Sequence, residues 1–232
     1  MPRPFALRIG IMALSARTTA AIAAVVGVAL VIALGFLVRL DIVAEDLDAE
    51  WMDEIVDYRS SGWEVASRVL DFIGGGWFAF LLVPIVGATL LLLLRRPWAA
   101  LAFVLAVSVS AGVVPLLKGF FGRARPEEIL IQVESAAYPS GHAASAASLA
   151  VALALLIGRW QAIVIGAVYV MLMSLSRTHL GAHWVSDTLG GALLGASPAL
   201  AVWAIFAPRI RSEQKSTPPP ASGRVRAVNE SL

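Results

Sequence analysis

The sequence predicts an all-α, polytopic membrane protein with six transmembrane helices, and two observations carry that expectation. Hydrophobic residues make up 59% of the 232 and charged residues only 15%. The mean hydropathy is +0.80, far more apolar than a soluble domain needs. The apolar residues also fall into runs of membrane length. A spanning helix needs about 20 of them, at 1.5 Å rise each across a core roughly 30 Å thick. Stretches near 18–38, 76–94, 98–117, 140–158, 161–176 and 184–207 meet or approach that length. Runs such as LLVPIVGATLLLLL read as helices, because in lipid only a helix or a closed barrel satisfies the backbone.

The first stretch follows Arg3, Arg8 and Arg17, the basic flank that a signal peptide would also carry. Its apolar core is too long for one and no small-x-small cleavage site follows, so it reads as an uncleaved span. Between it and the second stretch lies an acidic segment, with ten acidic and two basic residues from Asp41 to Asp71. Leu47, Trp51, Ile55 and Tyr58 recur there at helical spacing. That pattern predicts an amphipathic helix on the outer surface and a second, short one near 63–72; a plain connector with a solvated acidic face is the alternative. Asp46-Leu47-Asp48 matches a metal-binding Asp-x-Asp in composition only. The short connections Arg95-Arg96-Pro97 and Arg159 are basic. With the N-terminus in the cytoplasm, eleven basic residues lie inside and seven outside, as the positive-inside rule requires. The chain then divides into a cytoplasmic N-terminus (1–17), a membrane unit (18–208, including the outer segment 41–75) and a polar, disordered cytoplasmic tail (209–232) containing Pro218-Pro219-Pro220. A net charge of +2 is too small to argue for nucleic acid, and the lack of cysteine excludes a disulfide framework and a thiolate metal site.

The outer ends of the predicted spans hold an unusual polar set. Lys118 ends the third, followed by Arg123, Arg125 and Pro126; Pro139-Ser140-Gly141-His142 opens the fourth; Ser176-Arg177 ends the fifth; His179, His183 and Asp187 lie on the turn into the sixth. Taken singly, each has a plain explanation: snorkelling basic anchors, a serine N-cap, an interfacial histidine. Together they sit at a depth where ionisable groups are costly and usually mark function. The chemistry they suggest is phosphoryl transfer. Lys118, Arg125 and Arg177 supply positive charge, with bidentate geometry from the arginines. Ser140, Gly141 and the helix start behind them supply a hydroxyl, backbone N–H groups and the positive end of a dipole. Asp187, four residues after His183, can fix one imidazole nitrogen and leave the other as a nucleophile. His142, from another helix, can protonate the leaving oxygen. No carboxylate cluster remains for magnesium, so neither a metal nor a cofactor is expected.

These residues resemble the type 2 phosphatidic acid phosphatase (PAP2) superfamily. Lys-x6-Arg-Pro runs from Lys118 to Pro126, Pro-Ser-Gly-His occupies 139–142, and Ser-Arg-x5-His-x3-Asp runs from Ser176 to Asp187. Every motif position is filled and the order matches. The resemblance implies a PAP2-like helical core and a membrane lipid phosphatase working through a phosphohistidine. His183 would be the nucleophile, Asp187 its orienting partner, and His142 the acid and then the base for water. Lys118, Arg125, Ser140, Gly141 and Arg177 would bind phosphate. Arg123 and His179 are not motif positions and are left as neighbours or substrate contacts. Expected partners are membrane lipids and a lipid phosphate or diphosphate of the polyprenyl, phosphatidylglycerophosphate or phosphatidic acid class, displayed on the outer leaflet of the cell membrane. A homo-oligomer is left open. A phosphotransferase between lipids, a sugar-phosphate hydrolase and a non-catalytic transporter or scaffold that binds anionic lipid remain as alternatives.

Overall fold

The computed structural model describes residues 15–40, 42 and 46–216. Arg3 and Arg8, and the tail beyond Ser216, lie outside them. All regular structure among the described residues is helical: α1 (Ala16–Arg39), α2 (Asp46–Asp57), α3 (Ser61–Gly74), a π-helical turn (Phe78–Leu82) running into α4 (Val83–Leu93), α5 (Pro97–Phe121), α6 (Gly141–Ile157), α7 (Trp160–His179) and α8 (Val185–Ser216). Four of these, α1, α5, α7 and α8, are long and apolar enough to cross a membrane. Helix α3 and the segment Phe78–Leu93 make a fifth span if the pair, bent by 45°, is taken as one. Helix α6 is apolar but shorter, at 17 residues. Outward-facing Val25, Leu93, Leu116 and Ile165 are each at least 70% exposed. A surface so apolar suits lipid tails, not water.

Helix α8 is the hub, packed against α1, α5 and α6. Phe103, Val107, Leu156 and Ala199 form one buried cluster, and Val31, Val114, Ala144 and Leu194 a second. Small residues let these helices approach, as in other membrane bundles. A Cβ at Gly191 would run into the Ser140 carbonyl, and one at Gly195 into the Ala144 carbonyl. Both glycines thus serve the α6–α8 contact.

At one end of the bundle, Glu213 accepts from the backbone N–H of Trp98 (2.5 Å) and Ala99 (3.2 Å). It thereby caps α5, while Arg209 stacks 4.8 Å from the Trp98 ring. These contacts carry α8 through Pro208 to Ser216, past residue 208, where the tail was expected to begin. At the other end, the C-termini of α1, α5 and α7 meet the N-termini of α6 and α8. Phe36, Phe120, Phe121 and Tyr138 pack edge to face there, and the Tyr138 hydroxyl donates to the Val31 carbonyl at 2.6 Å. Helix α2 leans on α7 and α8, and α3 on α6 and α7. The acidic segment is therefore two helices, as its periodicity predicts, and they cover this end.

The α6–α8 contact makes a prediction about stability. Gly195→Ala should force the helices apart and cost about 1–3 kcal/mol, the usual range for overpacking. Gly112→Ala, where a Cβ meets nothing within 4 Å, should be neutral or mildly stabilising. Unfolding midpoints of the two variants in detergent check this, and equal midpoints would remove the close contact.

Candidate active site

The site is built on the start of α8. That helix begins at Val185, so His183 lies in the preceding turn and does not share a helical face with Asp187, as their spacing suggests. The turn nevertheless brings His183 Nδ1 to 3.5 Å from Asp187 Oδ2, longer than a formed hydrogen bond. Both side chains are almost fully buried. Asp187 Oδ2 also accepts the Trp184 backbone N–H at 2.9 Å, one half of a capping box. Its other oxygen accepts from Arg123 at 2.6 Å.

Arg123 reaches further. It donates to Ser186 Oγ at 2.7 Å and, through its second terminal nitrogen, to Asp48 Oδ2 at 2.6 Å. Asp48, from α2, also accepts the Ser186 backbone N–H at 2.9 Å and the Ser186 hydroxyl at 2.5 Å. The exposed N–H groups at the head of α8 thus meet two carboxylates, one from within the helix and one from α2. Asp48, the residue in the Asp-x-Asp run, is completely buried and acts as a structural acceptor. Among the described residues, no group of three His, Asp or Glu is placed to hold a metal ion.

The three cations converge on the same turn. Lys118 donates to the carbonyls of Ala136 and, at 3.3 Å, Ala137. Arg125 donates to the Ser135 carbonyl at 2.8 Å and to the Ala182 carbonyl, next to His183. Arg177 is buried and bonds through Nη1 to Asp71 Oδ1. Ser140 is the N-cap of α6, its hydroxyl accepting the Ala143 N–H at 3.4 Å, and its own N–H donates to the Asp187 carbonyl at 3.0 Å. A Cβ at Gly141 would make only ordinary contact, 3.5 Å from Val114, so packing within the protein does not explain a glycine there. His142 Nε2 lies 3.0 Å from the Asp71 carbonyl and 3.1 Å from Asp71 Oδ1.

Every residue expected from the sequence therefore comes to one end of the bundle, with His183, Asp187, Lys118, Arg125 and Arg177 in mutual electrostatic reach. Burial first, then the charges of Arg177, Lys118, Arg125 and His142, holds the His183 imidazole well below its ordinary 6.5. That favours the neutral imidazole, with a lone pair free. Burial and the neighbouring Arg177 lower Arg125 to about 10, leaving it charged near neutrality. His179 does not join the group: its carbonyl accepts from Arg59 at 3.2 Å and its ring lies edge-on to Trp63. Sequence reasoning missed the pairings of Asp48 and Asp71, and left Arg123 as a neighbour or substrate contact. Asp48 is one of ten acids in its segment, and the Asp-x-Asp run that contains it points to a metal, not to Arg123 and Ser186. Asp71 carried a faint signal, as the last acid before Gly74-Gly75-Gly76.

A family model of the PAP2 superfamily matches residues 97–211. The chain is 31% identical over 159 residues to decaprenylphosphoryl-5-phosphoribose phosphatase of Mycobacterium tuberculosis, covering 66% of this chain and 86% of that one. It is 29% identical over 136 residues to phosphatidylglycerophosphatase B of Bacillus subtilis, covering 54% and 66% respectively. Its fold is similar to the crystal structure of a transmembrane PAP2-type phosphatidylglycerolphosphate phosphatase from Bacillus subtilis, with a TM-score of 0.68 at 22% identity, over 77% of this chain and 94% of that one. With its three motifs brought together at one end of a membrane-type helical bundle, the chain belongs to the PAP2 superfamily.

Proposed function

We propose that this enzyme, a phosphatase of the PAP2 type, removes phosphate from a lipid phosphate or diphosphate at the outer leaflet through a phosphohistidine. The observation that carries the reading is a buried His183, its Nδ1 3.5 Å from the buried Asp187 carboxylate, set at the same end of the bundle as Lys118, Arg125 and Arg177, with His142 arriving from another helix. The lone pair of His183 Nε2 attacks phosphorus while Asp187, 3.5 Å from Nδ1, closes on that nitrogen and holds it. The bond from phosphorus to the lipid oxygen breaks, its electron pair goes to that oxygen, and His142 gives the oxygen a proton. His142 then takes a proton from water, whose oxygen displaces His183 and releases inorganic phosphate. Lys118, Arg125, Arg177, the Ser140 hydroxyl and the N–H groups at the head of α6 bind the phosphate oxygens. A backbone open to a ligand would give Gly141 the reason that internal packing does not. The relatives named above for lipid-borne phosphates support a polyprenyl or glycerolipid substrate.

His183→Ala should abolish turnover and any acid-labile phosphoenzyme, while Asp187→Asn should be milder, since it weakens orientation and leaves the attacking atom. A His183→Ala protein that still turns over a panel of lipid phosphates and diphosphates would remove the assigned nucleophile. The depressed His183 value fixes the sign of the pH dependence. A neutral imidazole persists as pH falls through 6.5, so the acid limb of kcat/KM, which reports the free enzyme, should lie below that value. A limb above 6.5 would contradict it.

Phosphate charge is met here by side-chain cations, so activity should persist in EDTA, and vanadate should inhibit competitively as a mimic of the trigonal-bipyramidal transition state. Strict magnesium dependence would overturn that account.

In this reading, α6 and the segment from the π-helical turn through α4 join the four longer helices to make six spans. An even number puts both termini on one side, and the basic Arg17, Arg95, Arg96 and Arg159 assign that side to the cytoplasm and the site to the outside. Residues 1–17 and the C-terminal tail flank a single membrane unit. Glu134 and Lys215 are both exposed, at opposite ends of the bundle. Cysteines placed singly at these positions of a cysteine-free chain test the topology in intact cells. An impermeant maleimide should label position 134 and spare 215; the opposite pattern would put the site on the cytosolic face.

A further inference from the structure

His142 has a partner that none of the three motifs contains. Its Nε2 faces two oxygens of one residue, the carbonyl of Asp71 at 3.0 Å and the carboxylate Oδ1 at 3.1 Å. A carbonyl oxygen can only accept, so Nε2 carries the hydrogen and Nδ1 is the atom left to exchange a proton. The same carboxylate oxygen binds Arg177 Nη1.

The approach is built from both sides. Asp71 lies in the last turn of α3, and the backbone after it passes directly over the imidazole. A Cβ on Gly74 would press on Met173 and come within 3.2 Å of His142 Cδ2. A Cβ on Gly75 would collide with His142 Nε2 and Cε1. Gly75 has ordinary extended backbone, φ −132°, so it is this contact, and not its conformation, that excludes a side chain. Asp71 also lies outside the residues that the family model matches, 97–211.

We infer that Asp71 is the positioning residue for the general acid: it fixes Nε2–H of His142, favours the imidazolium, and directs the transferable proton to Nδ1. The inference rests on the reading of His142 as proton donor. It adds to His183–Asp187 a second carboxylate–imidazole pair, recruited from the acidic outer segment. In the bond-breaking step the proton on Nδ1 passes to the lipid oxygen as the phosphorus–oxygen electron pair arrives there. The neutral imidazole keeps its Nε2–H on Asp71, and Nδ1 is left ready to take a proton from water.

A general acid matters most when the leaving oxygen is basic. The test therefore compares kcat/KM for a short-chain alkyl phosphate, a poor leaving group, with that for p-nitrophenyl phosphate, a good one. Asp71→Asn should lower the alkyl rate about tenfold or more beyond any loss on the aryl ester, within the usual range for general acid catalysis. It should also move the alkaline limb of the alkyl profile to lower pH. Gly75→Ala keeps the carboxylate but pushes the ring aside, and should show the same bias towards the aryl ester even if Asp71→Asn folds poorly. His142→Ala is the reference. Bias in His142→Ala without bias in either other variant would overturn the role of Asp71 alone. Absence of bias in all three would overturn the reading of His142 as well. Tighter vanadate inhibition of Asp71→Asn with an unchanged alkyl-to-aryl ratio would instead make Asp71 a competitor for Arg177, and would also refute the inference.

Discussion

The arrangement of this end of the molecule depends on one guanidinium. Arg123 lies between Asp48 and Asp187, 2.6 Å from each, and both carboxylates are buried. Without it, two negative charges would face each other across the first turn of α8 in a site closed to water. Removing one partner from such a group costs about 3–5 kcal/mol, because an uncompensated buried charge is left behind. With it, both carboxylates are paired while they accept the N–H groups of Trp184 and Ser186. The helix start is fixed, and so is the turn that carries His183. Because α8 also packs on α5 and α6, the position of that turn is passed on to the helices that carry Lys118 and His142.

The same economy of charge runs through the surrounding loop. Lys118 and Arg125 spend their N–H groups on the carbonyls of residues 135–137 and 182. These bonds satisfy buried donors and draw the segment before the Pro-Ser-Gly-His run against the α7–α8 turn. Carbonyl oxygens are neutral acceptors, and a phosphate dianion is a stronger one. The cations are therefore held in place, yet a better partner can engage them. The acidic segment contributes on the opposite sign: Asp48 from α2 pairs with Arg123, and Asp71 from α3 with Arg177 and His142.

How far the sequence alone reached can be judged residue by residue. The six apolar runs correspond to α1, the π turn with α4, and α5 to α8, because hydrophobic length is set by the chain itself. Lys118, Arg125, Ser140, Gly141, His142, Arg177, His183 and Asp187 were legible because each sits at a fixed spacing next to a predicted helix end. The periodicity of Leu47, Trp51 and Ile55 disclosed α2. The length of α8 was misjudged, since a polar composition after residue 208 says nothing of Glu213 docking on the first turn of α5.

Pairings across long stretches of chain were of another kind. Asp48 meets Ser186 across 138 residues, and Asp71 meets Arg177 across 106. A local pattern holds no information about such distant contacts, and ten acids in one segment look alike until helices α2 and α3 fold over the bundle. The sequence by itself determined the membrane class, the helices and the chemical groups, because hydrophobic periodicity and motif spacing are properties of neighbouring residues. Only the tertiary structure decided which carboxylate each imidazole and guanidinium meets, because that choice depends on how helices far apart in the chain come to share one end of the bundle.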